Sequence, residues 1–419
     1  MYLTKVKIEN IRSIENFQME FTKEECPGWH VLLGDNGAGK TTIVRAISVG
    51  LLGLNDSQAL RQNWHNWISF KKLSAKILMT VIHSKKKKKF DYPIEFNLSN
   101  SQSQNINKAS ILVSGMGKTD ILSPPFLSQN KYGPWFSAAY GPHRRFSGSN
   151  SDIEKIQKSN PRASAHITAF GEDIALTESI EWLKTLHYKR LENPKENSLI
   201  EDVKNFINNG KLLPHGAVIE KINTDGVFFK DGNNVSINIS ELSDGYRSVL
   251  SLTLDLLFRL IKEYGQEKVF DKTRKEKTFI DVPGIVLIDE IDAHLHPTWQ
   301  IKIGKWFTQY FPKIQFIVTT HSPLICRSAV NGSIWRLAAP GSDEESKRII
   351  GKDYERLIYG NILEAYGTEV FGENISRADF AHEKLDRMAE LNLKSIRGSI
   401  NIKEKEELND LQGIFPTGI

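Results

Sequence analysis

At 419 residues, with 40% hydrophobic and 25% charged positions, the chain has a globular composition and length for one large domain with insertions or two to three ordinary ones. A net charge of +5 permits nucleic-acid contact without arguing for it, and no apolar run approaches membrane-spanning length, which argues against an integral membrane protein. The two cysteines, Cys26 and Cys326, lie far apart with no C-x-x-C, so reduced thiols in a cytoplasmic protein are expected, with no zinc site.

The opening MYLTKVKIEN alternates like a strand and does not read as a signal peptide. Residues 2–21 are expected as an antiparallel hairpin, with Phe17, Met19 and Phe21 on one face of its second strand. Between the strands lies Asn10-Ile11-Arg12-Ser13, where Arg12 is either a solvated turn residue or a phosphate-facing arginine. The stretch that organises the chain follows at 29–53. Val31, Leu32 and Leu33 read as a buried strand; Gly34, Asp35, Asn36, Gly37, Ala38 and Gly39 then lead into Lys40, Thr41 and Thr42. After that, Ile43, Val44, Ile47 and Leu51 recur at helical spacing. G-x-x-x-x-G-K-T between a strand and a helix is the setting of a P-loop. Its glycines let backbone N–H groups turn inward around phosphate oxygens at a helix N-terminus. Lys40 would reach the outer phosphates, and the Thr41 hydroxyl would ligate Mg²⁺.

Residues 74–99 read as two apolar-rich strands around a turn carrying Lys85, Lys86, Lys87, Lys88 and Lys89. Such a basic tip is either a solvated loop or a contact for a nucleic-acid backbone. Residues 99–130, rich in Ser, Asn, Gln, Gly and Pro, are expected as a loop-like insertion. Order returns at Trp135, with a short strand ending at Tyr140-Gly141 and with Arg144 and Arg145 on the loop beyond. A helical region is expected from Glu172 to Phe206, then two or three short strands over 216–240 with an Asp-Gly turn at 231–232.

The rest of the chain holds more chemistry-bearing stretches. Leu242, Ser243, Asp244, Gly245, Tyr246 and Arg247 open a helix in which Val249, Leu250, Leu254, Leu257 and Ile261 keep helical spacing up to Gly265. It is either an ordinary capped amphipathic helix or one whose exposed N-terminus offers N–H groups to an anion. Ile285 to Ile288 form an apolar strand that ends in Asp289 and Glu290. A carboxylate pair there is expensive unless it has work, and positioning Mg²⁺ and polarising a water are the work on offer. The strand from Phe316 to Thr320 delivers His321 in the same way. Beyond Ser333, an edge strand at 334–337, an acidic loop and helices over 353–370 and 375–413 are expected.

P-loop, LSDGYR, LIDE and TTHS, in that order, resemble the ABC-type ATPase heads of the RecF, Rad50 and SMC group over roughly residues 1–335. Within that group they look like the OLD-like and the Septu- or retron-associated anti-phage defence ATPases. The resemblance implies an α/β P-loop NTPase of ABC-ATPase type: a mixed central sheet, an antiparallel β lobe and a helical lobe that bears the signature. The head is then expected over 1–340, with its helical lobe at about 166–265 and a hairpin and loop insertion at about 56–134. A C-terminal helical tail over 341–419 is the expected docking region for a partner. The resemblance also implies roles: Gly34–Thr42 as Walker A, Leu242–Arg247 as a signature acting in trans, and Asp289 as Mg²⁺ ligand. Glu290 would be the general base, Asp292–Pro297 the D-loop and His321 the γ-phosphate switch.

Two departures stand out. Asp244 occupies a place where transporter-type signatures carry glycine, and no glutamine-bearing Q-loop is evident. Tyr140–Arg145 sits where that loop belongs, so Arg144 or Arg145 is assigned phosphate sensing. One copy of each motif implies a homodimer enclosing two ATP molecules. The lack of sustained heptads between Thr42 and Leu242 argues against a true SMC or Rad50 protein. The expected function is Mg²⁺-dependent ATP hydrolysis that controls a separate effector, a nuclease, in anti-phage defence. The alternatives are a RecF-like repair ATPase that clamps DNA and, more weakly, a transporter's nucleotide-binding subunit. No strand delivers a second carboxylate cluster after residue 340, so nuclease activity is not expected of this chain alone.

Overall fold

The alternating opening stretch folds as β1 (Tyr2–Ile11), paired antiparallel with β2 (Ile14–Glu20) in the register Val6↔Met19 and Ile8↔Phe17. The computed structural model of the chain describes residues 1–83, 89–99, 108–112, 133–144, 159–171, 176–192, 198–271, 279–342, 344–361, 365 and 381–415. The other edge of β1 pairs with β4 (Ser74–Ile82), and β4 with β5 (Lys89–Ser99), from Ser74↔Asn97 to Ile82↔Lys89. This is the expected hairpin. Lys89 opens its second strand; Lys85, Lys86, Lys87 and Lys88 lie outside the described residues. Residues 108–112 depart from the loop expected there: they form β6 (Lys108–Leu112), antiparallel to β5. A backbone ladder on an open sheet edge outweighs the polar composition around it.

The central strands of the second sheet are buried along their whole length, which is why they read as continuously apolar. The sheet comprises β3 (Gly28–Leu33), β7 (Ser137–Tyr140), β11 (Gly284–Ile288), β12 (Ile314–Thr320), β13 (Gly332–Arg336) and β14 (Lys347–Arg348). Their order is β14-β13-β3-β12-β11-β7, with β14 antiparallel and every other pairing parallel. β13, expected at the edge, is covered by β14. Helix α1 (Lys40–Gln58) packs against strands of both sheets. Gly50 of the helix faces the flexible end of the Met79 side chain on β4. On the opposite face of β3, Trp29 packs with Phe307 and Phe316.

The remaining helical lobe holds α2 (Thr177–Glu192), α3 (Ser198–Asn209) and α4 (Asp244–Tyr264). It is not wholly helical: β8 (Val218–Asn223), β9 (Gly226–Lys230) and β10 (Ser236–Asn238) form an antiparallel meander within it. Asp231 makes the expected turn, its carboxylate accepting from the N–H groups of Asn233 and Val235. Helix α5 (Pro297–Tyr310) follows the acid pair.

By contacts the chain divides into Met1–Tyr359 and Gly360–Ile419, so the first unit runs past the expected boundary at 340. It takes in α6 (Gly351–Tyr359), whose Tyr354 hydroxyl donates to the Ala329 carbonyl. In the second unit, α7 (Ala381–Ile396) and α8 (Ile402–Ile414) pack through Met388, Leu391, Leu408 and Leu411. Of the helical stretch expected over 375–413, residues 375–380 lie outside the described residues; the rest is two helices, parted at Gly398 (φ 72) and restarted by a capping box of Asn401 and Glu404. No described helix is long and apolar enough to cross a membrane.

A buried polar triangle joins β3 to β13 and gives the head a pH dependence. His30, fully buried, sits 3.1 Å from the Cys26 carbonyl through Nε2 and 2.9 Å from Ser333 Oγ through Nδ1. A carbonyl only accepts, so Nε2 carries the proton and Nδ1 accepts from Ser333, whose oxygen in turn accepts from Trp335 Nε1. Burial pulls the His30 imidazole down to about 4. The unfolded chain therefore binds a proton between about pH 6.5 and 4 that the fold refuses, and stability falls as pH drops through that window. The expected slope from this group is about 1.4 kcal/mol per pH unit. Urea unfolding at pH 7 and pH 5 measures it; a His30→Gln chain with the same slope would show that the loss arises elsewhere.

Candidate nucleotide site

The carboxyl ends of β3, β12, β11 and β7 are neighbours in the sheet, and each delivers functional groups to the same edge. This is the edge where open parallel sheets bind ligands. From β3 the chain enters the Gly34–Gly39 loop and then α1, with Gly39 as N-cap at φ 90. A side chain there would be strained by its φ and would also overlap Ile14 Cδ1, so the N-terminal hairpin sits against the loop. Lys40 Nζ donates to the carbonyls of Gly34 (2.8 Å) and Asp35 (2.9 Å) and lies 3.4 Å from His321 Nδ1. An ammonium only donates, so that imidazole nitrogen is the acceptor. Burial pulls the Lys40 ammonium below its ordinary value, opposed by Glu290, Asp289, Asp292 and Asp35. The lysine is thus held over the loop by weak carbonyl partners, in a field of carboxylates.

Arg12 stands in the same hairpin at φ 50. Its N–H donates to the Trp67 carbonyl, and its guanidinium lies 5.2 Å over the Trp67 ring. It is therefore a stacked turn residue near the loop.

β11 ends in the acid turn. Thr319, buried on β12, donates its hydroxyl to Asp289 Oδ1 (2.6 Å) and accepts the Glu290 N–H (2.7 Å). The other Asp289 oxygen, Oδ2, is buried with no hydrogen-bond partner. A buried carboxylate oxygen left open in this way suits a hard cation. Among the described residues no group of three or more His, Cys, Asp or Glu could hold a metal. Mg²⁺ is typically held by one or two carboxylates together with the phosphates of a nucleotide; Asp289 and Thr41 are the residues that would hold it. Glu290 adopts φ 46, a left-handed conformation uncommon for a side-chain-bearing residue. It is half-buried at the mouth of the site.

Arg144 does not project into the site as a phosphate sensor would. Its buried guanidinium donates to the carbonyls of Gly141 (3.0 Å), Asp289 (2.9 Å), Glu290 (3.0 Å) and Ile291 (3.5 Å), and Nε donates to Ser248 Oγ (2.9 Å). The reason is supply: an acid turn leaving the sheet has orphan carbonyls, and a five-donor fork satisfies them. Arg145 lies outside the described residues.

The residues expected as a signature, Leu242–Arg247, lead into and open α4. Leu242 is buried, Ser243 and Asp244 are exposed, and Ser243 is the N-cap without a side-chain capping bond. Arg247 folds back on the Asp244 carboxylate. Gly245 is required by packing, since a Cβ there would stand 2.8 Å from the His294 carbonyl. Tyr246 lies 6.2 Å from Trp299, ring to ring. A cleft of ≈ 630 Å³ beside this N-terminus is lined by Ser243, Asp244, Gly245, Tyr246, His294 and His296, among others, and by no residue of the P-loop.

The structure thus gathers Lys40, Asp289, Glu290 and His321 at one sheet edge and puts Ser243, Asp244, Gly245 and Tyr246 on a separate cleft. Sequence reading missed Thr319, Ser248 and Gln300. Gln300 accepts from Ser322 Oγ (2.6 Å) and donates to the Leu295 carbonyl (2.9 Å), joining the segment after the acid pair to the one after β12. The signal for Thr319 was present as two polar residues ending an apolar strand.

Fold and site together define a P-loop ATPase head. The chain belongs to the family described as AAA domain, putative AbiEii toxin, Type IV TA system, whose model matches residues 30–327. It is similar to the Septu protein PtuA of Bacillus mycoides (strain KBAB4), 27% identical over 423 residues that take in 98% of this chain and 50% of that protein. The Retron Ec83 probable ATPase of Escherichia coli is 33% identical over 163 residues, 36% of this chain and 28% of that one. The chain therefore spans about half the length of the first relative and less of the second. Among solved structures, an Smc head bound to the C-winged helix domain of ScpA aligns with 83% of this chain and 98% of its own, at 18% identity and a TM-score of 0.48.

Proposed function

We propose that this chain binds and hydrolyses ATP with Mg²⁺ between two copies of itself, and that the cycle governs a separate effector, a nuclease, in anti-phage defence. The observation that carries the ATPase reading is the convergence of Lys40, His321 and the Asp289–Glu290 turn at the ends of adjacent parallel strands, with Asp289 Oδ2 left open. Bound Mg²⁺ would neutralise charge on the phosphate oxygens and orient them. Lys40 exchanges its two carbonyls for phosphate oxygens, and the loop N–H groups at the head of α1 take the rest of the charge. Glu290 accepts a proton from the attacking water as its oxygen bonds to the γ-phosphorus. The bond from that phosphorus to the β–γ bridging oxygen breaks, giving ADP and phosphate. His321, already within reach of Lys40, supplies the contact that reports an intact γ-phosphate.

Similarity to a Septu protein along nearly the whole chain and to a retron ATPase over about a third of it supports the defence role. The effector docks on a surface that changes with nucleotide state, for which the helical hairpin of α7 and α8 is the candidate. Any DNA contact would fall to the basic tip at Lys85–Lys89. Purified protein should release phosphate from ATP when Mg²⁺ is present and stop when it is chelated. It should leave linear and circular DNA uncut. Absence of phosphate release under all conditions would sink the ATPase reading, and DNA cleavage lost on mutating acids after residue 340 would sink the need for a separate nuclease.

A further inference from the structure

We propose that Arg144 is a positioning residue that ties the acid turn of one nucleotide site to the signature helix that serves the other. The inference rests on the dimeric ATPase reading above and adds the physical link between its two sites. In such a dimer, Glu290 acts on the nucleotide of its own P-loop, while Ser243 and Gly245 of the same chain act on the partner's. Something must connect the two if signature engagement at one site is to be felt at the other.

Arg144 makes that connection by hydrogen bonds. Nε reaches Ser248 Oγ on α4 at 2.9 Å, a single residue past Arg247, the last of the signature. The terminal nitrogens reach the carbonyls of Asp289 and Glu290 at 2.9 and 3.0 Å. No other side chain donates to either carbonyl among the described hydrogen bonds that touch this turn. The Glu290 peptide is thereby gripped on both sides, its N–H by Thr319 and its C=O by Arg144, and that grip holds the left-handed φ of 46. At the turn itself Arg144 touches backbone oxygens only, so it takes up neither carboxylate.

A second strut runs parallel to the first. The Tyr140 carbonyl accepts the Asp289 N–H at 2.8 Å, while the Tyr140 hydroxyl donates to Asp255 Oδ2 at 3.0 Å, farther along α4. Asp255 is itself fixed by Arg259 at 2.6 Å. The acid turn is therefore fastened to the signature helix at two heights, and a shift of α4 must be shared by the turn. Burial lowers the Arg144 guanidinium to about 10, against the opposing pull of Asp289, Asp292 and Glu290, so it remains charged at neutral pH.

The test compares Arg144→Gln, Arg144→Lys, Ser248→Ala and the Arg144→Gln/Ser248→Ala double variant, each read for kcat, KM and ATP affinity. Arg144→Gln should lower kcat on the order of 10²-fold, the cost of misplacing a reacting group by about 1 Å, with KM within about twofold. Arg144→Lys should not rescue it, because a single ammonium cannot serve the helix and the carbonyls together. Ser248→Ala should lower kcat about tenfold, and adding it to Arg144→Gln should cost nothing more. Unchanged kcat in Arg144→Gln, or a raised KM with kcat intact, overturns the inference; the second result would instead restore a phosphate contact. If Arg144→Gln does not fold, Ser248→Ala decides alone, and native kcat in that variant overturns the proposal. A native chain without ATPase activity would overturn the functional reading and this one together; activity that needs Glu290 but ignores Arg144 and Ser248 overturns this one only.

Discussion

A Glu290→Gln chain should bind ATP at least as tightly as the native chain and turn it over about 10²- to 10⁴-fold more slowly, the range that general-base loss commonly spans. The substitution keeps the shape of the side chain and both backbone anchors, the N–H on Thr319 and the C=O on Arg144. It removes basicity and one negative charge from the place the phosphates would occupy. Lys40→Ala should fail earlier, with affinity down by about 10²-fold or more, because charge-assisted hydrogen bonds to phosphate have no substitute in the loop. That loss is not mere unfolding: the ammonium contacts two loop carbonyls and one imidazole, while the loop shape itself is set by Gly37 at φ 81 and Gly39 at φ 90. Equilibrium binding of labelled ATP and phosphate release separate the two effects. Equal turnover in the native and Glu290→Gln chains would remove Glu290 from the mechanism, and native affinity in Lys40→Ala would remove the P-loop from it.

What could be read from residues alone follows from how each element is buried. Strands covered on both faces must be apolar throughout, so β3, β11 and β12 announced themselves, and the polar residues at their ends marked the site edge. Motif order then located Lys40, Glu290 and His321 before their strands were known to be adjacent. β6 was not legible, because its pairing depends on the backbone of β5 and on no pattern of its own. Arg144 is a different case. An arginine beside a phosphate site looks the same in sequence whether it faces the ligand or closes the carbonyls of a turn, and only burial and partners separate these. Thr319 was passed over for a related reason: its two bonds go to residues thirty and twenty-nine positions away in the chain.

Mixing Lys40→Ala with Ser243→Arg protein should restore activity that neither shows alone. The argument starts from the two places the motifs occupy. Lys40 belongs to the sheet edge, whereas Ser243 borders a cleft with no P-loop residue in its lining, so one chain does not close its signature over its own loop in this structure. A two-fold dimer would bring each signature to the other loop. In a mixed pair, the P-loop of the Ser243→Arg chain meets the intact signature of the Lys40→Ala chain, and that site is whole; the other carries both lesions. With random pairing, half of the dimers are mixed and each has one working site of two, so roughly a quarter of native activity is expected if the sites fire independently. Ser243 is a suitable position for the lesion because it is exposed and makes no side-chain capping bond, so arginine there should spare its own chain. Gly245 would serve badly, since any side chain there meets the His294 carbonyl within the same chain. Recovery below the expected quarter would measure the coupling assigned to Arg144, since a site whose partner site is dead would then fire slowly. Differently tagged chains, captured together, establish that mixed dimers form. Silence in a preparation where they do form would mean that each chain completes its own site, and the shared-site arrangement would have to be abandoned.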